Sequence, residues 1–160
     1  QCPNGQFTMD GPADTMILDT PRTAGCFAPA GTTVETTAAR FVVRDTDATV
    51  WVSSLDGAPI RASRRLLLAH LTDLQNTGAQ YAERARTTLL VWGDPPHLVR
   101  NGAATVTLKR GAAKAEAWAL STGGERRLPV AVTIAAEGVS LALGVKGPAG
   151  AQMMYEVVLE

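Results

Sequence analysis

No stretch of this sequence comes near the ~20 consecutive apolar residues that a membrane-spanning helix requires. A surplus of charge of one sign is also missing. Lys plus Arg (15) balances Asp plus Glu (15), so net charge favours neither nucleic acid nor an anionic membrane as a partner. Cysteine is scarce, with only Cys2 and Cys26. Two cysteines cannot build a structural zinc site unaided, and the two histidines, His70 and His97, stand far from both in sequence. Either the cysteines close a disulfide that ties down the N-terminal segment, as suits an exported protein, or they are two unpaired thiols. The sequence leaves both open.

Signatures of catalysis are missing too. Nucleophile-elbow, P-loop, dinucleotide and zinc-protease patterns do not occur. The nearest approach to a phosphate loop, GVKGPAG, has the wrong spacing and trailing residues, and fits a surface turn. No cofactor and no metal site is expected. A metal site would have to gather His70, Asp73 and His97, whereas a lone histidine in an apolar run is more often a satisfied core residue. No spacing among the carboxylates selects an acid–base pair.

What is present is strand signal. Short alternating or β-branched runs recur at Gln6–Asp10, Thr15–Asp19, Ala39–Arg44, Ala48–Ser53, Thr87–Trp92, Ala104–Lys109, Ala115–Leu120, Val130–Ala135, Val139–Val145 and Met153–Leu159. Turn formers separate them: DGP, DG, NTG, GDPP, NG, GG, EG and GPAG. This spacing predicts one all-β domain over 1–160, an antiparallel β-sandwich with short loops and an extended N-terminal segment wrapping across it. Asn101-Gly102 is the strongest hairpin candidate, joining 97–100 to 104–109. Residues 28–37, rich in Ala, Thr and Gly, are expected to form a long loop. The segment 62–74, ASRRLLLAHLTDL, fits two patterns. Leu67, His70, Leu71 and Leu74 recur at helical spacing, yet the continuous run RLLLAHL equally suits a strand buried on both faces. Its strand neighbours favour the strand.

Aromatics make up 5% of the chain, so each can be weighed singly. Trp51, Trp92, Trp118 and Tyr81 are candidates for carbohydrate binding, because an aromatic ring offers a flat apolar face. A packing role in the core, or against a partner domain, is the competing assignment for each tryptophan. Trp51 alternates in phase with Thr49 and Ser53 and opposite Val50 and Val52, which puts it on the outer face of its strand. The phase of Trp118 is ambiguous.

The order of segments resembles a known module. GQFTMD…MILDTPRTAG is followed by ATVWVSSLDGAPIRASRRLLLAHLTDLQNTGAQY, LLVWGDPPHLVRNGAATVTLK, AEAWALSTGGER and QMMYEVVLE. This is similar to the C-terminal β-sandwich domain that follows the TIM-barrel catalytic domain in bacterial glycoside hydrolases of the retaining β-glycosidase clan. The motifs are turn signatures, and their order across most of the chain carries the likeness. Cys26 departs from the small or polar residue expected after TPRTAG, and DLQNTG from the usual small-residue approach to NTG.

The resemblance implies a non-catalytic accessory domain. The catalytic carboxylates would lie on barrel strands, and 160 all-β residues are too few for eight βα units. It also implies a secreted or periplasmic bacterial parent enzyme in carbohydrate metabolism, and a chain excised from a longer protein, as the start at QCPNGQ without Met also suggests. The catalytic barrel is the expected partner, with polysaccharide a further candidate and no nucleic acid or membrane. Arg22 of the TPRT segment and Asn76 of the NTG turn are candidates for interdomain contact. Two alternatives belong to other classes: an autonomous carbohydrate-binding module using Trp51, Trp92, Trp118 and Tyr81, and a small enzyme with a His70/Asp73 site.

Overall fold

Alternation of small and large apolar residues with polar ones drives this chain into strands throughout. The computed structural model describes residues 5–148 and 150–160. The N-terminal hairpin β1 (Phe7–Asp10) and β2 (Thr15–Asp19) turns through TPRT into β3 (Thr23–Ala28). β4 (Thr33–Glu35), β5 (Ala39–Val43), β6 (Ala48–Ser54) and β7 (Arg65–Leu71) follow. An arm is then made of β8 (Leu74–Thr77), β9 (Gln80–Tyr81), β10 (Leu89–Val91) and β11 (Asp94–Val99). The chain returns as β12 (Ala103–Leu108), β13 (Ala115–Leu120), β14 (Arg126–Val130), β15 (Val132–Ala135) and β16 (Gly138–Gly144). A short ribbon, β17 (Lys146–Gly147) with β18 (Gly150–Ala151), precedes β19 (Met154–Leu159).

Two antiparallel sheets form the sandwich. The large one has eight strands in the order β1-β2-β3-β6-β7-β19-β13-β14, the small one five in the order β15-β16-β12-β5-β4. The chain passes between them repeatedly. From β3 it crosses to β4, and from β14 to β15 it crosses within one residue, Ala131, with Val130 and Val132 both packed on the core. Among the described residues no helix is long and apolar enough to cross a membrane.

The inner faces interlock. Val50, Val52, Leu66, Leu68, Val157 and Leu159 of the large sheet meet Phe41, Val43, Val106, Leu108, Leu141 and Leu143 of the small one, all essentially without solvent exposure. Tyr155 spans the two layers. Its hydroxyl donates to the Gly144 carbonyl at 2.8 Å and accepts from the Gly144 amide at 3.1 Å, so a buried polar tip is satisfied in both roles. Cys26 lies in the same core, and burial pushes its thiol up to about 11. Its proposed pairing with Cys2 falls outside the described residues.

Residues 65–71 form a strand, resolving the ambiguity of 62–74. RLLLAHL is apolar on both faces because Leu66 and Leu68 fill the core while Leu67 and Leu71 face outward. The N-terminal segment is a hairpin added to the edge of the large sheet.

Three expectations are corrected. Asn101-Gly102 does not close a hairpin, since β11 pairs with β8 while β12 pairs with β5 and β16. Gly102 is required for packing instead: a Cβ there would meet Thr46 Cγ2 at 2.7 Å and Thr72 Cγ2 at 3.0 Å. The expected loop 28–37 contains edge strand β4, anchored by Val34 beneath Phe41. Residues 23–28 carried no expected strand, yet β3 is the third strand from the β1 edge of the large sheet and pairs along its whole length with β6.

His70 is 0% exposed, and neither ring nitrogen has a hydrogen-bond partner among the described residues. Burial holds its pKa below the ordinary value near 6.5. The folded protein therefore keeps a neutral ring where the unfolded chain takes up a proton. Stability is unaffected by this group above pH ~6.5 and falls as pH drops below it, by at most ~1.4 kcal/mol per pH unit. His70→Leu, which also removes unpaired buried nitrogens costing about 1–3 kcal/mol, is expected to match or exceed wild-type stability at pH 7. It should also flatten the slope between pH 6.5 and 5 in urea denaturation. A variant retaining the wild-type slope would assign that slope to other groups.

Candidate functional site

The outer face of the large sheet follows directly from strand register, because residues opposed across an antiparallel pair share a face. One row runs Phe7, Leu18, Gly25, Trp51, Ala69, Met154 across six strands. The next runs Met9, Met16, Phe27, Thr49, Leu71 across five. Neither row contains a charged residue. With strands ~4.8 Å apart, the first row is about 24 Å long. Met9 is 67% exposed, and Met16, Leu18, Phe27, Trp51 and Met154 are half-buried. Gly25 has no room for a side chain: an added Cβ would lie 2.4 Å from Trp51 Cβ and 2.6 Å from the Val50 carbonyl oxygen.

A third row changes character: Thr23, Ser53, Leu67, Glu156, Trp118, Pro129. Glu156 is only 2% exposed. Arg126 Nε donates to its Oε2 at 2.5 Å, Arg65 Nε donates to Oε1, and the Arg126 guanidinium lies 3.8 Å over the Trp118 ring. The Arg126 hydrogen bond holds the Glu156 carboxyl below its usual range; burial opposes this, and Arg65 adds to it.

The outer face of the small sheet contrasts with this. Its equivalent row is Arg40, Thr107, Ser140, Thr133, with Thr107 and Ser140 hydroxyls 2.8 Å apart. That surface is made for water.

The arm carries the second candidate surface. Tyr81 and Trp92 line one groove together with Leu74, Gln75, Asn76, Ala79, Leu89 and His97. Trp92 is 73% exposed. His97 Nδ1 and Asn76 Oδ1 are 2.7 Å apart; because the amide oxygen only accepts, Nδ1–H is the donor. The arm is clamped at its base. Thr72 Oγ1 donates to the Arg100 carbonyl at 2.6 Å, and the Arg100 amide to the Asp73 carbonyl at 2.8 Å. Arg86 and Arg100 both bind the Asp73 carboxylate, and Arg86 also lies over the Tyr81 ring. Burial pushes the Asp73 carboxyl up, but the two arginines outweigh it and leave it below its ordinary value.

Of the four aromatic candidates, the structure thus brings Tyr81 and Trp92 together and places Trp51 and Trp118 on the large sheet, the latter under Arg126. Asn76 belongs to the arm groove, and Arg22 is exposed at the β2–β3 turn. His70 faces the sandwich interior while Asp73 lies among Arg86 and Arg100, so the two share no cavity among the described residues. No group of three or more His, Cys, Asp or Glu residues suited to a metal occurs among the described residues. Sequence reasoning missed Leu18, Phe27 and Met154 as surface residues, although the period-2 phase that placed Trp51 outward would have placed them too. Compared with protein-family models, curated proteins and solved structures, the chain matches none of them.

Glu156 supplies a direct test of the face's electrostatics. Replacing Arg65 and Arg126 together by Met strands a buried carboxylate, a change costing up to about 3–5 kcal/mol where water cannot reach the charge. Adding Glu156→Leu to that double variant is expected to recover most of the loss, measured as denaturant midpoints. No recovery would mean the arginines act through packing on Trp118 instead.

Proposed function

We propose that this chain is a non-catalytic accessory β-sandwich domain of a bacterial glycoside hydrolase, exported to the periplasm or beyond. It docks through the outer face of its large sheet against the TIM-barrel catalytic domain of the parent protein. The observation that carries this is the pair of charge-free rows from Phe7 to Met154 and from Met9 to Leu71. A sandwich that faces water on both sides alternates apolar-in with polar-out, as the small sheet does. The large sheet does not. Contiguous apolar surface of this kind marks an interaction site, and the order of turn motifs points to the barrel as its occupant.

Such a domain acts by mass action. Tethered to its partner, it sees an effective concentration in the millimolar range, so a modest interface keeps the two parts closed. Closure stabilises whichever partner is less stable alone. The acid–base carboxylates belong to the barrel, and this domain contributes position and stability to them.

The test uses the parent gene. Its barrel segment and this domain, produced as separate polypeptides, are expected to form a one-to-one complex. Phe27→Lys should weaken that complex at least tenfold, about 1.4 kcal/mol or more, whereas Ala142→Lys on the exposed outer side of the small sheet should leave it unchanged. Sedimentation or calorimetry reads both. A gene without a barrel-sized segment, or a complex indifferent to Phe27→Lys, would sink this reading.

A further inference from the structure

The arm groove has a chemistry different from the large-sheet face. Its walls are the rings of Tyr81 and Trp92 with Leu74 and Leu89, and its polar side chains are Gln75, Asn76 and His97 beside the Tyr81 hydroxyl; among the described residues no carboxylate, ammonium or guanidinium lines it. The Arg86 guanidinium over the Tyr81 ring is already paired with Asp73, so the groove offers a charged ligand no uncommitted counter-charge. In the tautomer that donates Nδ1–H to Asn76 Oδ1, Nε2 is a hydrogen-bond acceptor, and the Asn76 amide keeps its N–H donors. The groove therefore offers flat apolar rings beside neutral acceptors and donors, the His97 Nε2 and the Gln75 and Asn76 amides among them.

We propose that this groove binds a neutral oligosaccharide, one sugar ring stacking its C–H face on Trp92 and Tyr81 while its hydroxyls engage His97 Nε2 and the Asn76 amide. A hydroxyl both donates and accepts, so neighbouring hydroxyls on one ring satisfy both partners at once. A proline-rich peptide, the other ligand that suits aromatic grooves, has no N–H at its prolines and leaves the His97 acceptor unmatched. Arg86 holds the Tyr81 ring from its ion pair with Asp73, which gives the platform a fixed orientation before any ligand arrives. Trp92 projects from the arm with its ring largely in water, and covering it recovers apolar area that the fold itself leaves exposed.

This assignment is independent of the docking reading, because the arm groove and the large-sheet rows share no residue but lie on separate strands. Titration of the isolated domain with neutral xylo-, cello- and mannohexaose, followed by the tryptophan indole N–H resonances, tests it. At least one of these sugars is expected to shift the Trp92 signal with a dissociation constant of about millimolar. Trp92→Ala should weaken binding at least tenfold, and Asn76→Ala or His97→Ala severalfold, while Trp118→Phe on the large sheet leaves it unchanged. Oligogalacturonate, an anionic control, should bind more weakly than the neutral sugar. Absence of any Trp92 shift with all three neutral hexasaccharides overturns the proposal, as does binding of a polyproline peptide in their place. Either result leaves the barrel-docking measurement standing, and loss of docking leaves this titration standing.

Discussion

The structure rests on strands that are apolar on both faces at the centre of the large sheet. In β7, Leu66 and Leu68 enter the sandwich while Leu67 and Leu71 point away from it. Because side chains alternate with a period of two, one register fixes both surfaces, and a one-residue slip would exchange them. The same register places Val50 and Val52 inward and Trp51 outward on β6. It also seals His70 in the interior and sets Glu156 on the outer face between Leu67 and Trp118. Core, apolar stripe and buried carboxylate are thus consequences of a single alignment of β6, β7 and β19.

Much of this was legible because alternation is a local signal. The runs Thr15–Asp19 and Ala115–Leu120 coincide with β2 and β13, and the outward phase of Trp51 followed from its neighbours. β3 escaped because TAGCFA is made largely of small residues with little strand preference. Its Gly25 is explained only by the Trp51 side chain packed against it from β6. Asn101-Gly102 misled for a related reason. An Asn-Gly pair signals a tight turn because both residues tolerate positive φ, whereas Gly102 is needed to let Thr46 and Thr72 close in. The convergence of Tyr81, Trp92, Asn76 and His97 depends on β8 pairing with β11 across the arm, a contact between residues some twenty apart in sequence. Conversely His70 and Asp73, close in sequence, part company where the strand leaves the sandwich.

Glu156 shows why a charge can persist on an otherwise apolar sheet. A carboxylate 2% exposed is tolerable only with its oxygens bonded, and here each oxygen has its own arginine. Both guanidinium groups remain about half-exposed, so they reach water while the carboxylate does not. The arrangement ends the apolar rows at a defined border, since any surface laid further over Trp118 must first desolvate Arg126. A partner on this face is thereby offered a hydrophobic centre with a charged margin, the division found in specific interfaces. Location along the sheet, as well as affinity, is encoded in it.

The arm obeys a different rule from the sandwich. Leu74, Leu90, Val91 and Leu98 are exposed on it, so no core of its own holds it together. Its strands pair only two by two, and isolated two-stranded ribbons are marginal in water. Order is supplied instead by polar clamps: the Thr72–Arg100 and Asp73–Arg100 bonds at the base, the Asp73–Arg86 pair, Thr77 Oγ1 on the Pro96 carbonyl, and His97 on Asn76. Exposed ion pairs contribute little singly and are screened by salt. The arm is therefore the segment whose opening free energy lies at the low end for this protein, and the apolar side chains it leaves in water are free energy held in reserve for a ligand or neighbour that covers them. The sandwich gains its stability from what it has already buried, and the arm gains from what it has yet to bury.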